Sequence, residues 1–578
     1  MKRCLKNCLI CMSGILIIAV CVSCGSSSFA GGSTTAIDTV TPSEIMGMIQ
    51  DLSDISGYGL SSGIHPGPKA DQASKYIENK LAGYGLTVKR EPVKVISAWP
   101  NSYKVTVDVT GSATREIVSF PAMWTVATPT DGVQAELAYV GDGTKSNFDT
   151  TNVSGKIVLI DSKAPQGYQQ TMGANYTNAL ATAVQKGAIG FIVADLEIPV
   201  PKITHGAGRP GALLQIPGVM CGKSEGDYLR GLVQSGKNPK VKMMLDLPYQ
   251  QYTNDNVYAV LPGNASTDET IIVCGHYDTT FTGALDNNGG VATILGLAKY
   301  FAQKPRESRN RDIMFLFIFG HDTLFNIGHK AFADNHKDLL KKAITVDVDH
   351  PVTGFKYVYD RTQGKWVTTS EWPMKMISAT SNPLLTMAAF SLYKWGLLPV
   401  TTFLPVPGQG ANNGDFIAAG AAGVFTGINL PYYYHTIDDT PEKLSVKQIE
   451  TSFPYHVEIV ENIDRTPGGY LLYADVNKNR PNTPPRVRIA VLSDTVKVGD
   501  AVCAWNDETF FSDDKPVYSY AQFPDWAGMT WDWGDGSTVT KGQTGAHAYK
   551  VAGTYTITLT VTDLEGATGK DIRQITVK

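Results

Sequence analysis

Histidine and aspartate residues occur in five short segments between residues 275 and 440. Each segment follows an apolar run or lies in a glycine-rich turn, so the side chains could converge on one point. Carboxylates and neutral imidazoles are ligands that zinc prefers, and two ions that share a carboxylate can together activate a water and polarise a carbonyl. The pattern therefore predicts a two-metal hydrolase site. The segments are Gly-His-Tyr-Asp at 275–278, Gly-Ala-Leu-Asp-Asn-Asn-Gly-Gly at 283–290, Gly-His-Asp at 320–322, Val-Asp-Val-Asp-His at 346–350 and Tyr-Tyr-His-Thr-Ile-Asp-Asp-Thr at 433–440.

The first two segments offer the clearest candidates. His276 and Asp278 follow an apolar run two residues apart, so in extended chain both side chains can point the same way. We interpret His276 as a metal ligand and Asp278 as the group that fixes its tautomer through the other ring nitrogen. The same pair could instead be a strand-end contact that only adds stability. Asp286, in a glycine-rich loop that enters a helix, could bridge two ions or simply cap that helix.

The segments are separated by strand and helix patterns. Apolar runs at 256–261, 270–274 and 312–319 predict strands, and helical spacing predicts a helix at 290–301. Such alternation is typical of an α/β fold, here a mixed twisted sheet flanked by helices. Ligand sites in these folds lie where the carboxyl ends of strands open into loops, which is where all five segments fall.

The spacing of the His276/Asp278 pair and Asp286, followed by the apolar strand at 312–319 and then by Asp347 and His435, resembles that of peptidase family M28, the zinc aminopeptidases. The stretch Ser-Gly-Ile-His-Pro-Gly at 62–67, followed by a helix that ends in Tyr-Gly-Leu at 84–86, fits the same family. The resemblance implies a fold of the zinc-peptidase type, a peptide or protein substrate, and removal of residues from its N-terminus.

The resemblance also implies roles for individual residues. His276 and Asp347 would bind one zinc ion, His435 would bind the other, and Asp286 would bridge the two. Asp349 is the alternative to Asp347, because residues two apart on a strand face the same side.

The chain departs from the family pattern at 320–329, where the family has Glu-Glu, then Gly, then Gly-Ser. The first Glu is the general base and the second a metal ligand. Counted back from Gly328 without a gap, Asp322 takes the base position and Thr323, a poor zinc ligand, takes the other. If the loop before Gly328 contains one extra residue, His321 takes the base position and Asp322 takes the metal-ligand position. This alignment retains a carboxylate as a metal ligand. We favour the second alignment, which predicts two zinc ions per chain; the first leaves one. Either His321 or Asp322 would move the proton.

Two further regions have their own resemblances. Residues 128–246 combine short strands with one helix in an order that resembles a protease-associated (PA) domain, which is a non-catalytic insert. The motifs at 531–537, 547–549 and 553–561 resemble a polycystic-kidney-disease (PKD) domain, an immunoglobulin-like β-sandwich. That domain could bind a protein or glycan partner or act only as a spacer. The predicted division is a peptidase domain at 43–127 and 247–465, the PA insert at 128–246, a linker at 466–486 and the PKD domain at 487–578.

The N-terminus has the features of an export signal. Residues 1–24 combine a basic start with a short apolar run and end in Cys-Val-Ser-Cys, which resembles a lipoprotein cleavage site with Cys24 as the lipidated residue. A plain secretory signal is the alternative. A Gly/Ser/Thr-rich flexible tether is predicted at 25–42. These features predict an extracytoplasmic protein, either secreted or held at the membrane only through a lipid on Cys24.

Charge and cysteine content exclude other classes. The formal net charge is −4, so the chain has no basic footprint for nucleic acid. Of eight cysteines, only Cys221, Cys274 and Cys503 follow the leader, and their wide spacing argues against a disulfide framework and a cysteine zinc site.

The most direct interpretation is an exported, metal-dependent exopeptidase that removes N-terminal residues with a water shared by two ions. The first alternative is a catalytically degenerate M28-like protein that binds peptide or glycan at the cell surface, since both family Glu residues are replaced. Carboxypeptidase and glutaminyl cyclase activities also occur on similar folds and stay open.

Overall fold

A computed structural model describes the chain from residue 35 to residue 578, with gaps. The predicted leader at 1–24, including Cys24, lies outside the described residues. Within the range, the residues not described are 98, 163–171, 204–212, 323–325, 398–399, 403–411, 429, 473–483, 485–486, 492–493, 507–528, 542–543 and 563–566.

The first described elements are α1 (Thr35–Thr39), α2 (Pro42–Ser56), α3 (Pro68–Gly83) and β1 (Val88–Ile96). Helix α2 begins at Pro42 because the Thr41 hydroxyl accepts a hydrogen bond from the Glu44 N–H at 3.2 Å. It ends at Gly57, whose φ of 80° suits glycine.

Residues 35–42 of the predicted tether at 25–42 are described in the structure, and they are packed on the large domain. Residues Thr35–Thr39 are helical, and Ala36 and Val40 are buried in the same apolar cluster as α2. A Gly/Ser/Thr-rich composition indicates flexibility only where no apolar side chain anchors the chain, and these two side chains do anchor it.

A second sheet follows β1. Its strands run in the spatial order β3-β2-β9-β5-β6-β7-β8-β4. The elements of this region are β2 (Ser102–Asp108), β3 (Arg115–Glu116), β4 (Ser119–Pro121), β5 (Val133–Tyr139), α4 (Lys145–Thr150), β6 (Ile157–Ser162), α5 (Met172–Gln185), β7 (Gly190–Asp195), β8 (Gly218–Cys221), α6 (Lys223–Gln234) and β9 (Lys240–Asp246).

The strand pairing in this sheet places the start of the insert earlier in the chain than predicted. Strand β2 pairs antiparallel with β9 along its whole length, and β4 pairs with β8. The insert sheet therefore begins at Ser102, not at residue 128 as predicted. An alternating strand pattern shows that a strand forms, but it does not show which sheet the strand joins.

The remaining elements of the large domain follow the insert. They complete an eight-stranded mixed sheet with the order β1-β10-β12-β11-β13-β18-β16-β17. The elements are β10 (Gln251–Leu261), β11 (Thr270–His276), α7 (Gly289–Ala302), β12 (Asp312–Ile318), α8 (Ile327–Asn335), α9 (Lys337–Leu340), β13 (Ala343–Asp347), β14 (Tyr357–Asp360), β15 (Lys365–Thr368), β16 (Lys375–Ala379), α10 (Asn382–Lys394), β17 (Val400–Thr402), α11 (Gly414–Ala418), β18 (Ala422–Ile428) and α12 (Val446–Arg465).

Helices cover both faces of this sheet, which confirms the predicted α/β fold class. Ile271 and Val273 of β11 pack into the cluster that contains α2, α7 and α12, whereas Ile272 packs with Phe332 of α8 and Phe416 of α11. Both faces of the central strands are therefore apolar, as expected for parallel strands buried between two layers.

The start of the predicted linker is bound to the large domain. The Arg311 guanidinium donates hydrogen bonds to the carbonyls of Asp464 and Thr466, each at 2.8 Å. Leu471 is fully buried. The large domain therefore extends at least to Leu471, past the predicted start of the linker at residue 466.

The elements that the structure describes in the C-terminal region are all strands, in agreement with the prediction. A three-stranded and a five-stranded sheet enclose a core that includes Trp531, Trp533 and Tyr549. The strands are β19 (Ile489–Val491), β20 (Thr495–Val496), β21 (Ala501–Asn506), β22 (Met529–Asp532), β23 (Thr540–Lys541), β24 (Thr544–Ala548), β25 (Gly553–Thr562) and β26 (Thr568–Val577). In the part of the chain that the structure describes, none of the helices is long and apolar enough to cross a bilayer.

Candidate metal centre

Four neighbouring parallel strands bring the five segments together. Strands β12, β11, β13 and β18 are adjacent and parallel, so their carboxyl ends meet at one edge of the sheet. The loops that follow these four ends, together with the turn before α7, carry the histidines and aspartates singled out above. This arrangement places the candidate site where α/β sheets usually bind their ligands.

The first group of ligand atoms comes from His276, Asp286 and Asp349. The Nε2 atom of His276 lies 3.2 Å from Oδ1 of Asp286 and 3.6 Å from Oδ1 of Asp349. All three side chains are at most 2% exposed. We call this group the first triad.

The second group comes from Asp286, Asp322 and His435. The Nε2 atom of His435 lies 2.9 Å from Oδ2 of Asp286 and 3.6 Å from Oδ1 of Asp322. We call this group the second triad. Asp286 belongs to both triads and turns one carboxylate oxygen toward each, which is the geometry of a bridging ligand.

The donor atoms fit zinc in type and spacing. Atoms bound to one tetrahedral zinc at about 2 Å lie about 3.3 Å apart, and the four distances above run from 2.9 to 3.6 Å. Four of these buried atoms have no hydrogen-bond partner among the described residues: His276 Nε2, Asp286 Oδ2, Asp322 Oδ1 and Asp349 Oδ1. Buried carboxylates are costly unless cations compensate them, so the cluster suits two divalent ions.

Asp347, the predicted ligand, lies outside both triads. Its Oδ2 accepts hydrogen bonds from the Asn412 and Asn413 N–H groups at 2.7 and 3.3 Å, and its Oδ1 accepts one from the Asn412 side chain at 2.9 Å. Both carboxylate oxygens are thus already hydrogen-bonded to Asn412 and Asn413. Asp349, the alternative from the sequence, contacts His276 in its place.

Asp278 holds a loop and also lies beside the histidine ring. Its Oδ1 accepts hydrogen bonds from the N–H groups of Gly320 and His321, and its Oδ2 accepts one from Asp322, all at 3.0 Å. The same Oδ1 lies 3.6 Å from Nδ1 of His276, while that Nδ1 donates its hydrogen bond to the backbone carbonyl of Asp278 at 2.9 Å. That bond fixes the tautomer that the sequence predicted, but through the main chain.

We expect Asp278→Ala to weaken zinc binding by roughly 10- to 100-fold, the range typical for residues that orient metal ligands. The three N–H groups that Asp278 holds would be released, and Asp322 would lose its position. Calorimetric titration with zinc measures the effect. Asp312→Ala is a suitable control, since Asp312 accepts one backbone N–H at the opposite end of β12. Equal affinities for Asp278→Ala and the unmodified protein would contradict this role.

His321 stands beside the first triad. Its ring centroid lies 4.4 Å from that of His276, and its Nδ1 is bonded to the side-chain oxygen of Asn326. An amide oxygen only accepts, so Nδ1 carries the hydrogen and Nε2 keeps the lone pair. Thr323, the ligand in the ungapped alignment, lies outside the described residues.

Two residues of the site were missed in the sequence. His350 Nε2 lies 3.0 Å from Asp286 Oδ1 and 3.5 Å from Asp349 Oδ1. Asp439 accepts hydrogen bonds from the N–H groups of Leu285 and Asp286 at 2.8 and 3.2 Å, which holds the bridging loop. Both residues lie within the five segments defined from the sequence. Their closeness in the chain to Asp349 and His435 was the signal that could have identified them.

The carboxylates change the protonation of the metal-free site. Burial alone lowers the pKa of His435, but Asp322 and Asp286 outweigh it and raise that pKa to about 9. The pKa of His350 is also about 9, since Asp349 and Asp286 outweigh its burial. Despite its burial, the pKa of Asp286 lies well below the usual value because His350, His276 and His435 surround it.

We expect zinc affinity to rise with pH up to about 9. A protonated His435 must lose its proton before it can bind a metal ion, so binding releases protons below pH 9. The folded-state pKa exceeds the unfolded value, so this histidine stabilises the metal-free fold below about pH 6.5 and loses that effect as pH rises through 9. Calorimetry in buffers of different ionisation enthalpy measures the release, and affinity independent of pH would contradict it.

Comparisons with known proteins agree with this architecture. Three family models match separate parts of the chain: peptidase family M28 at 256–458, the PA domain at 124–229 and the PKD domain at 519–577. A vacuolar membrane protease of Schizosaccharomyces pombe is 26% identical over 151 residues, which are 25% of this chain and 16% of that protein. The chain thus covers only a small part of that relative's length.

Solved structures resemble the fold. The structure of a zinc aminopeptidase from Bacillus subtilis has a TM-score of 0.56 and 19% identity, covering 75% of this chain and 98% of the other. A peptidase M28 precursor from Shewanella amazonensis has a TM-score of 0.59 and 19% identity, with 75% and 95% covered. An aminopeptidase from Aneurinibacillus sp. strain AM-1 has a TM-score of 0.52 and 20% identity, with 75% and 97% covered.

At sequence identities of 19–20%, the similarity to these solved structures shows only that the fold is shared. The match to the M28 family model, at 256–458, contains all five segments of the candidate site, whereas the motif at 62–67 lies outside it. The chain therefore contains a region that matches peptidase family M28, together with regions that match the PA domain and the PKD domain.

Proposed function

We propose that this protein is a zinc-dependent aminopeptidase that removes N-terminal residues from peptides. The observation that carries the proposal is the shared carboxylate of Asp286. One of its oxygens faces His276 and Asp349, and the other faces His435 near Asp322. Two ions bridged in this way suit hydrolysis of an amide, because one site can activate a water while the other engages the carbonyl.

In this proposal each triad would bind one metal ion. His276, Asp286 and Asp349 would hold one ion, and Asp286, Asp322 and His435 would hold the second. When bound, such a pair lowers the pKa of a water and polarises the scissile carbonyl. Asp278 and Asp439 keep the loops of Asp322 and Asp286 in place through backbone hydrogen bonds.

Within this proposal His321 moves the proton. Asp322 shares the second triad with Asp286 and His435, so its carboxylate is committed to metal binding. His321 presents Nε2 as the basic atom because its Nδ1 is held by Asn326. The Nε2 atom would accept a proton from the attacking water and return it to the leaving amine.

We also propose that the protein works outside the cytoplasm, secreted or anchored through a lipid on Cys24, and that its PKD domain contacts a protein or glycan. The leader pattern at 1–24 supports the first statement. Mass spectrometry of the N-terminal peptide from native membranes tests it, because a lipid anchor adds a diacylglyceryl group to Cys24. An intact leader on the mature protein would contradict export.

The first experiment is elemental analysis of a chain that begins after Cys24, purified without chelator and then assayed on peptides with a free N-terminus. Two zinc ions per chain and chelator-sensitive release of the N-terminal residue support the proposal. One ion or none contradicts the two triads and favours the ungapped alignment. Two ions without turnover favour the second candidate, a peptide-binding protein, which is suggested by His321-Asp322 in place of Glu-Glu.

A further inference from the structure

The segment 195–203 of the PA insert lies against the loop that carries His435. The Ile203 N–H donates a hydrogen bond to the carbonyl of His435 at 3.0 Å, and Lys202 and Thr436 form an antiparallel backbone bridge. Because His435 is the histidine of the second triad, a main-chain hydrogen bond joins the insert to one of the candidate metal ligands.

Apolar side chains form a second contact with the same loop. Ile198 of the insert is only 1% exposed and packs in a cluster with Tyr432, Tyr433 and Tyr434, the three residues that precede His435. The Tyr434 ring stacks on the His435 ring with centroids 3.7 Å apart. The packing of the insert against the tyrosines therefore continues directly to the imidazole.

The segment is itself fixed where it leaves strand β7. The Asp195 Oδ1 atom accepts hydrogen bonds from the N–H groups of Glu197 and Ile198 at 2.7 and 2.6 Å. The carbonyl of Ile198 accepts one from the Lys223 N–H, at the start of α6, at 2.7 Å, and the carbonyl of Glu197 accepts one from the Trp366 indole at 3.0 Å. The segment can therefore act as a firm support for the loop.

The backbone of His435 needs such a support. Its φ is 59°, in the left-handed region that is disfavoured for a residue with a Cβ atom and persists only where the surrounding structure holds it. A hydrogen bond to the carbonyl of this residue fixes the orientation of the peptide plane that follows it. The Ile203 N–H therefore stabilises the backbone conformation that directs the imidazole toward Asp286 and Asp322.

We propose that the PA insert completes the metal centre, because its segment 198–203 positions His435 for the second ion. The inference rests on the two-ion centre of the proposed function and gives a positioning role to a domain that supplies no member of either triad. The first triad does not include His435, and Asp439 holds its Asp286 through hydrogen bonds from the N–H groups of Leu285 and Asp286. Zinc affinity of the second triad should therefore depend on the insert, and that of the first should not.

Calorimetric zinc titration of the full chain, with one triad disabled at a time, separates the two sites. Asp349→Ala removes a member of the first triad only, and Asp322→Ala removes a member of the second only. Ile203→Pro is added to each of these variants, because proline has no N–H to donate. Ile203→Ala is the matched control, since it shortens the same buried side chain but keeps the N–H.

In the Asp349→Ala protein, we expect Ile203→Pro to weaken zinc binding by roughly 10- to 100-fold, the range for groups that orient metal ligands. In the Asp322→Ala protein the same change should stay within about twofold, as for sites that share no contact. Ile203→Ala should leave both affinities within that limit. Equal losses in both proteins, or a loss in Ile203→Ala as large as in Ile203→Pro, would overturn the positioning role.

Hydrogen exchange of the metal-free chain tests the same contact without zinc or turnover. Ile198→Ala removes the apolar anchor, and Ile192→Ala is its control, because Ile192 is also buried but packs in the insert's own core. Amides at 433–440 should exchange at least roughly 10-fold faster in Ile198→Ala only, as expected when a buried contact that holds a loop is lost. Amides at 320–322, which Asp278 holds, should not change.

Unchanged exchange at 433–440 in Ile198→Ala, or the same increase in Ile192→Ala, would contradict the inference. The proposed function can fail separately. If the unmodified chain binds fewer than two zinc ions or hydrolyses no peptide, while exchange at 433–440 responds as expected, the proposed peptidase is wrong and the support of His435 by the insert stands.

Discussion

Asp286→Asn is expected to reduce the zinc content from two ions to one or none and to lower kcat/KM by at least roughly 1,000-fold, the upper range for loss of one preorganised electrostatic group. The carboxylate is the only residue shared by the two triads, with one oxygen 3.2 Å from His276 Nε2 and the other 2.9 Å from His435 Nε2. An amide has one oxygen, no negative charge and a donor N–H₂ group, so it cannot bridge two cations. Elemental analysis and peptide hydrolysis measure the two effects.

Asp347→Asn is the matched control for this change. Asp347 is equally buried and lies at the same edge of the sheet, but Asn412 and Asn413 bind its carboxylate. Burial raises the pKa of Asp347 to about 7, with a further contribution from Asp349, so loss of its negative charge costs little, although the amide N–H₂ cannot accept the hydrogen bond from the Asn412 side chain. Loss of zinc in Asp347→Asn, with zinc retained in Asp286→Asn, would reverse the assignment of the two carboxylates.

His321→Gln is expected to lower kcat by roughly 100- to 10,000-fold, the range for loss of a general base, while both zinc ions remain bound. Glutamine keeps a polar side chain beside Asn326 but cannot accept a proton. The remaining activity should also lose the acidic limb of the pH–rate profile, because that limb reports the basic group. Steady-state kinetics and elemental analysis on the same preparations separate loss of the base from loss of metal.

His336→Gln is the control for a histidine change that leaves the site intact. His336 follows α8 and pairs with Glu91 at 2.6 Å, away from both triads. Its replacement should leave kcat unchanged within about twofold, as is usual for substitutions away from the reacting groups. Full activity in His321→Gln would assign the proton transfer to Asp322.

The position of the candidate site could be predicted because its segments follow predicted strands, and the carboxyl ends of parallel strands lie at one edge of the sheet. The strand patterns at 270–274 and 312–319 anticipated β11 and β12, and parallel strands bring their carboxyl ends together. Asp322 was favoured over Thr323 as a ligand on the chemistry of zinc alone. Asp322 lies in the second triad, whereas Thr323 lies outside the described residues, so this choice stays a prediction.

The choice between Asp347 and Asp349 required the tertiary structure. Strand β13 ends at Asp347, so the rule that residues two apart face the same side no longer applies beyond it. Asn412 and Asn413, more than sixty residues away in the chain, then bind the first carboxylate and leave the second to the metal centre. His350 has a positive φ of 50°, which extended-chain periodicity does not anticipate.

From the sequence alone, the α/β fold class, the resemblance to peptidase family M28 and the segments that carry the candidate His/Asp site could be predicted, because apolar periodicity and ligand chemistry are local properties. Only the tertiary structure decided which carboxylate of the Val-Asp-Val-Asp-His segment lies beside His276, and that the insert sheet begins at Ser102. The physical reason is that these facts depend on contacts between segments distant in the chain. Such contacts are selected by packing and hydrogen bonding of the whole fold, and no short window of sequence contains both partners.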